Sequence, residues 1–408
     1  MTVSVPPDDP TGAPSAGLAG APAPAMLQGT ASSLDEALLA RLLAELGAEA
    51  QAFRFEVAPN PCVGAAILAA GQVVARGHHE LWGGPHAEVV ALERATQSGR
   101  PAAEWDVLVV TLEPCSSSDK TGPCVETILA SGLRRVVVGA LDPDPRHRGR
   151  GIERLREAGV EVYLMEGHVP LESVAPHFLH WNKPERLRRP RPWTIAKWAQ
   201  TRTGQLQPPE DVGEGRWISC VESREEVLGL RSHVDAVLTG IGTVLADDPR
   251  LTLRPPVQGP DAPLRVVLDS FLRTPPDARL FAAPEENETA GKVLILTLAG
   301  ADATRWRALE AAGAEVVGLR TDDGDRLSLR EVLTHLWDRG LRRVLLEAGP
   351  TLLEQFLERE YVDQLRIYTG DVNGGRGASM GTWLAQAQVE RRLDRELGSD
   401  AVLEGFLE

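Results

Sequence analysis

The chain has 408 residues, with 43 Lys+Arg against 58 Asp+Glu, a net charge of −15 and 25% charged residues. That length exceeds one typical core and implies two domains with additions, while an acidic balance without a basic footprint argues against a nucleic acid partner. No apolar run approaches the roughly 18 residues of a membrane span, the start lacks a charged-then-apolar export pattern, and the four cysteines show no disulfide spacing, so a reducing cytoplasm is expected.

Residues 1–33 are rich in Ala, Pro and Gly and read as a disordered tail, since they carry too few large apolar groups to offset ordering entropy. From Ser33 the spacing of Leu38, Leu39, Leu42, Leu43 and Leu46 predicts a helix, with Gly47 near its end. Pro59-Asn60-Pro61-Cys62-Val63-Gly64 is a turn into a hairpin over 65–74 broken at Gly71. Asn60 divides evenly between turn chemistry and a substrate contact. Pro85 suits a first helical position, which puts His86 and Glu88 in the first turn of a helix reaching about Gln97. A strand over 107–113, a helix from Pro123 to Gly132, a strand over 135–141, a helix over 152–158 capped by Gly159 and a strand over 160–164 follow. A hairpin followed by alternating helix and strand predicts a three-layer α/β domain over 34–182.

Within that domain His86, Cys115 and Cys124 form a metal-ligand set. Zinc favours four tetrahedral ligands from Cys and His, and a catalytic zinc keeps one position for water. Glu88 lies two residues beyond the first ligand and is better placed to move protons than to coordinate. Zinc base deaminases show H-x-E followed by P-C-x-x-C. Here eight residues stand between Cys115 and Cys124, so a plain cytidine-deaminase match fails. Cys62 and Cys220 have no spaced partner and are expected to be dispensable for metal.

Residues 183–192 are Pro-rich and basic and read as a linker whose arginines serve solubility. Over 193–408 strands are expected at 194–200, 236–238, 264–269, 293–298, 344–346 and 365–368, with helices near 222–234, 303–312, 328–338 and 351–359. Gly240-Ile241-Gly242 lacks the third glycine of a dinucleotide fingerprint. Gly349-Pro350-Thr351 opens a helix and offers free N–H groups to an anion, although such a start is more often only structural.

The motifs PNPCVG, GGPHAEVVAL and TLEPC…GPC in the first half resemble the deaminase half of the bifunctional riboflavin-biosynthesis deaminase/reductase family. Lys197-Trp198-Ala199-Gln200-Thr201, Gly242-Thr243-Val244-Leu245-Ala246-Asp247-Asp248-Pro249 and Leu346-Glu347-Ala348-Gly349-Pro350-Thr351 resemble its reductase half. The resemblance spans about residues 35–370. It implies an N-terminal cytidine-deaminase-like three-layer domain and a C-terminal dihydrofolate-reductase-like domain. The implied function is hydrolytic deamination of a phosphoribosylamino-pyrimidine, then NADPH-dependent reduction of its ribosyl unit to ribityl. His86, Cys115 and Cys124 are the implied zinc ligands and Glu88 the proton shuttle. Asn60, His79, Lys120, Arg231, Leu251, Arg254 and Glu347 fall at substrate positions. Ala199, Trp217, Thr243, Asp247, Gly349, Pro350 and Thr351 fall at NADPH positions. Two arginines suit a 5′-phosphate.

The chain departs from the family pattern at Ser117 (His in the family), Asp144 (Asn) and Thr203 (Asp). It departs again at Gly370-Asp371-Val372-Asn373-Gly374-Gly375, which stands where a strand and a long closing segment are expected. For Thr203 the expectation is a turn residue, with Arg202 turned to solvent. The Ser117 and Asp144 changes motivate an alternative, a reductase whose deaminase half is degenerate and only structural or substrate-holding. The expected partners are a small phosphorylated pyrimidine and further copies of the chain in a dimer or tetramer, with no nucleic acid or membrane.

Overall fold

The computed structural model describes residues 35–116, 122–144, 147–169, 174, 191–210, 217–254, 262–321 and 326–407. The expected tail, Ser117, Lys120 and all of the expected linker but its last two residues lie outside them.

Asp35, two residues later than expected, opens α1 (Glu36–Ala50): its carboxylate accepts from the N–H groups of Ala37 and Leu38, donors that a helix start leaves open. Gly47 lies inside this helix and not at its end. A short helix α2 (Arg54–Val57) leads to the antiparallel hairpin β1 (Gly64–Ala69) and β2 (Gln72–His78). Then come α3 (Ala87–Gln97), β3 (Val107–Val110), α4 (Cys124–Ala130), β4 (Arg135–Val138), α5 (Arg150–Glu157) and β5 (Glu161–Leu164). The sheet runs β2-β1-β3-β4-β5, with β3, β4 and β5 parallel. Successive strand side chains face opposite layers. Ile67, Leu108, Val110 and Val136 pack with α3, α4 and α5, and Leu68, Val107, Val109 and Val137 with the leucines of α1.

β3 and β4 stop at Val110 and Val138, three residues short of the expected 113 and 141. Glu113 explains the break. Its carboxylate accepts from four backbone N–H groups, of Asp142 (3.2 Å), Gly149 (2.8 Å), Gly151 (2.9 Å) and Ile152 (3.3 Å), and so gathers the following loop and the start of α5 around itself. α3 in turn lies hard against β2, where a Cβ on Gly77 would run into the backbone of Ala87 and Ala91.

The second half contains β6 (Trp193–Gln200), β7 (Gln205–Gln207), α6 (Val221–Arg231), β8 (Ala236–Gly240), α7 (Ile241–Asp247), β9 (Leu264–Leu268), β10 (Val293–Leu298), α8 (Ala303–Ala311) and β11 (Ala314–Leu319). It continues with α9 (Leu329–Asp338), β12 (Arg343–Leu346), α10 (Pro350–Glu358), β13 (Gln364–Thr369), β14 (Arg376–Ser379), α11 (Gly381–Gln386), β15 (Val389–Leu397) and β16 (Asp400–Leu407). Nine strands form one sheet in the order β11-β10-β9-β8-β12-β6-β13-β16-β15. From β11 to β13 neighbours are parallel, and such strands, covered on both faces, read as unbroken apolar runs.

The expectation of a missing closing segment is corrected. Residues 370–375 are a connection, and β15 and β16 form a closing hairpin whose strand β16 pairs antiparallel with β13, from Gln364↔Phe406 to Thr369↔Ala401. β15 escaped notice because it is an edge strand crowded with charge, Glu390-Arg391-Arg392 and Asp394-Arg395-Glu396. The end of the expected linker is also anchored: Arg191 holds Asp363 through paired bonds of 2.6 and 2.7 Å.

The two sheets meet at α2. Phe55 packs against Phe406 with the rings tilted by 41° and their centroids 4.9 Å apart. Arg343 and Gln364 donate to the Phe55 carbonyl at 2.9 and 3.2 Å, and Arg366 pairs with the Glu56 carboxylate at 2.6 Å.

Candidate active sites

In the first half, two helix starts converge. His86 sits at the N-cap of α3 with extended backbone, so α3 begins at Ala87 and Glu88 occupies its first turn. Cys124 is the first residue of α4 behind Pro123, and Cys115 follows Pro114 on the loop after β3. The ligand atoms of His86, Cys115 and Cys124 all lie within 4.8 Å of one another, with His86 Nδ1 3.1 Å from Cys124 Sγ and 3.5 Å from Cys115 Sγ. Residues α4 places first support the cysteine: the N–H of Cys124 points to Cys115 Sγ at 3.3 Å and that of Val125 to the Cys115 carbonyl at 3.2 Å. The hydrogen bond with Cys124 depresses the Cys115 thiol to about 4, while that bond and burial push Cys124 up. Two sulfurs competing for one proton beside an imidazole make a donor set suited to a soft dication, which could replace the proton. Glu88 is buried against this cluster, and burial raises its pKa.

Asn60 and His79 adjoin the cluster. Burial lowers His79 to about 4, so the ring is neutral at working pH. Its Nδ1 faces the Pro85 carbonyl at 3.1 Å and must carry the hydrogen, which leaves Nε2 to accept from Asn60 Nδ2 at 3.3 Å. The His79 and His86 rings stand edge to face, 5.2 Å apart. Asp144 turns inward, with its carboxylate 4.0 Å from His147.

In the second half, the C-terminal ends of β6, β8, β9 and β12 open on a cleft of about 1690 Å³, larger than the roughly 300–1,000 Å³ of a usual small-molecule pocket and roomy enough for two ligands. All eleven reductase-half candidates line it: Ala199, Trp217, Arg231, Thr243, Asp247, Leu251, Arg254, Glu347, Gly349, Pro350 and Thr351. The Thr243 hydroxyl accepts from the Gly349 N–H at 3.1 Å and fixes the turn that opens α10. Trp217 is 63% exposed, with the Arg224 guanidinium carbon 5.2 Å from its ring centre. An open helix start, an exposed indole and a basic wall that includes Arg224, Arg326 and Arg376 together fit a phosphorylated cofactor.

The two arginines expected at a phosphate are engaged elsewhere. Arg231 clasps Glu347 with Nε–Oε1 2.6 Å and Nη2–Oε2 3.0 Å, and its Nη1 donates to the Thr252 carbonyl at 3.1 Å. Arg254 lies against Glu288. Lys197 completes the buried cluster, with Nζ 3.6 Å from Glu347. Burial alone would raise Glu347, but Arg231 and Lys197 overcome it and hold the carboxyl at about 2. Sequence reading missed Glu113 and Arg343. Glu113 stood in view two residues before a ligand, whereas nothing marks Arg343 apart from its position before an apolar strand.

Residues 40–140 match the cytidine and deoxycytidylate deaminase zinc-binding region, and residues 192–387 match the RibD C-terminal domain. The riboflavin biosynthesis protein RibD of Aquifex aeolicus is 33% identical over 350 residues, 85% of this chain and 92% of that protein. The chain belongs to the RibD family of riboflavin-biosynthesis proteins. RibD of Escherichia coli is 34% identical over 332 residues, covering 78% of this chain and 84% of that one. Among solved structures, Acinetobacter baumannii RibD (form 2) superposes with a TM-score of 0.60 at 26% identity, over 91% of this chain and 99% of that one. The Thermotoga maritima diaminohydroxyphosphoribosylaminopyrimidine deaminase/5-amino-6-(5-phosphoribosylamino)uracil reductase gives a TM-score of 0.60 at 27% identity with the same coverage.

As a RibD enzyme the chain couples a zinc deaminase to an NADPH-dependent reductase and works on a small molecule. The degenerate-deaminase alternative falls, because the zinc-binding region matches as a region and the ligand set is intact. No helix among the described residues is long and apolar enough to cross a membrane.

Proposed function

We propose that the substrate is the one named for the Thermotoga maritima relative: a diaminopyrimidine carrying a ribosylamino 5′-phosphate, deaminated in residues 34–182 and then reduced in residues 193–408. The observation that carries this reading is the convergence of His86, Cys115 and Cys124 within 4.8 Å beside the buried Glu88. Those three side chains hold the metal. Zinc there supplies the Lewis acidity that makes water a nucleophile at neutral pH. Glu88, buried beside the three ligands, would take a proton from water held there and return it to the departing amine. Neutral His79 and Asn60, hydrogen-bonded to each other, orient the pyrimidine edge, with Lys120 as a further substrate contact.

In the reductase cleft, Thr243, Asp247, Trp217, Ala199 and the Gly349-Pro350-Thr351 turn hold NADPH, which supplies a hydride. Arg231, Leu251, Arg254 and Glu347 line the substrate side. Arg231 is fixed by Glu347, so Arg254 is the arginine left to turn toward the phosphate, exchanging Glu288 for it. None of the four cysteines is in a disulfide, which fits a reducing cytoplasm, and the enzyme works as a homo-oligomer. Purified protein incubated with that substrate, with and without NADPH, should yield the deaminated ribosyl compound alone or the ribityl product, identified by mass. Cys115→Ser should lose most of the roughly one zinc per chain expected here. Full zinc in that variant would remove the ligand assignment, and an unchanged substrate would remove the substrate reading.

A further inference from the structure

Arg343, the first residue of β12, is fully buried, and its side chain leaves the reductase sheet for the deaminase. Nη2 donates to the Phe55 carbonyl at 2.9 Å, and Nη1 to the carbonyls of Glu56 at 2.8 Å and His233 at 3.4 Å. Burial lowers its pKa only to about 10, so the group stays cationic at neutral pH. Among the described residues this sealed guanidinium hydrogen-bonds only carbonyl oxygens, with the Glu56 and Asp235 charges offsetting part of its burial. That is a costly way to join two domains, and apolar packing such as Phe55 on Phe406 already joins them. What the cation reaches gives it a second role. The Glu56 carbonyl that it binds also accepts the Trp82 N–H at 3.0 Å, and the Trp82 ring centre lies 5.9 Å from the guanidinium carbon. Trp82 stands midway along the loop from His79 to His86, which closes on itself through Gly84 N to Leu81 O at 2.9 Å and His79 Nδ1 to Pro85 O at 3.1 Å. Arg343, the Glu56 carbonyl and Trp82 therefore seat the loop that carries His79, whose Nε2 meets Asn60 on the turn before β1.

We propose that Arg343 of the reductase half is a positioning residue for the deaminase, holding the 79–86 loop so that His79 and Asn60 meet the pyrimidine. This rests on the assignment of His79 and Asn60 to the deaminase substrate. β12 allows a clean test, because its other end runs into Glu347 of the reductase cleft, so general damage to the strand registers in the second activity.

The experiment measures deaminase kcat and KM, zinc content, and reductase kcat/KM on already deaminated substrate, in full-length wild type, Arg343→Met, Arg343→Lys and Asn60→Ala. Arg343→Met is expected to raise deaminase KM about tenfold or more while kcat, zinc and reductase kcat/KM stay within about threefold. Arg343→Lys, which keeps the cation and one donor direction, should show a smaller rise and is the variant to read should Met fail to fold. Equal loss of both activities, or an unchanged deaminase KM in a folded variant, overturns the proposal. Asn60→Ala separates the two levels. If it leaves deaminase KM unchanged the pocket assignment itself is wrong, whereas a raised KM there with none in the Arg343 variants removes only the role of Arg343.

Discussion

A carboxyl sealed between sulfur and imidazole holds its proton to a higher pH than one on the surface, because burial penalises the anion, and Glu88 is in that position. Glu88→Gln keeps the shape and loses the proton, so it should retain zinc and lose deamination by roughly 10²-fold or more. Reduction of already deaminated substrate should be unaffected, which metal analysis and the two separate assays would check. Glu347 is shifted the other way. Its carboxyl sits at about 2 against an ordinary 4.5, so its stabilising contribution is complete above about pH 4.5 and is lost as the pH falls through about 2. That difference corresponds to roughly 3 kcal/mol. Glu347→Gln should therefore be less stable at neutral pH and should flatten the acid limb of stability between about pH 4.5 and 2, read by denaturant unfolding at each pH. The metal-ligand set and Glu88 were legible because their chemistry needs particular residue types at short spacing. The Arg231–Glu347 clasp was not legible: both residues were marked as substrate contacts, and nothing in one dimension tells a residue that meets a ligand from one that holds its neighbour.

The turn between β6 and β7 shows how an element absorbs an unusual residue. Thr203 stands where the family pattern has Asp, and its hydroxyl lies against Gln205 Oε1 and 3.2 Å from the Gly374 carbonyl, while its own carbonyl accepts from Ser379 at 3.1 Å. Gly204 completes the turn with a positive φ of 85°. Arg202 is exposed and pairs with Asp371, as a turn role for Thr203 requires. A carboxylate cannot donate to Gly374, so Thr203→Asp should lower reductase kcat/KM, by less than about tenfold, and should bring no gain. A hundredfold gain in steady-state assays would show the natural loop to be a crippled one. Helices with a clear apolar stripe and strands with continuous Val, Ile and Leu were readable in both halves. What escaped was in part short or charged: α7, whose Gly240-Ile241-Gly242 start looked like a broken nucleotide fingerprint, and β7, β14 and β15. The apolar strands β11 and β16 were also missed, and β16 is held by partners distant in sequence.

At the scale of the molecule, the two halves could be told apart in sequence by their separate alternations of strand and helix, but their joint could not. The bonds from Arg343 to Phe55 and Glu56 span 288 and 287 residues, and Phe55 reads locally as an ordinary aromatic after a helix. That joint has a consequence for the order in which the chain is made. Domains generally fold as they leave the ribosome, N-terminal half first, and the strands of the first sheet are all in hand once Leu164 has emerged. The ring that covers Phe55 belongs to Phe406 on β16, which lies in the interior of its sheet between β13 and β15. The second sheet therefore cannot close, nor Phe55 be covered, until nearly every described residue has been translated. During that interval the nascent deaminase presents an aromatic side chain and a Phe55 carbonyl still without Arg343 and Gln364, a surface of the kind chaperones hold. Chains stalled before β13 should be cut by protease near Phe55, and chains released after β16 should resist, a contrast that pulse-labelled translation products would reveal on a gel.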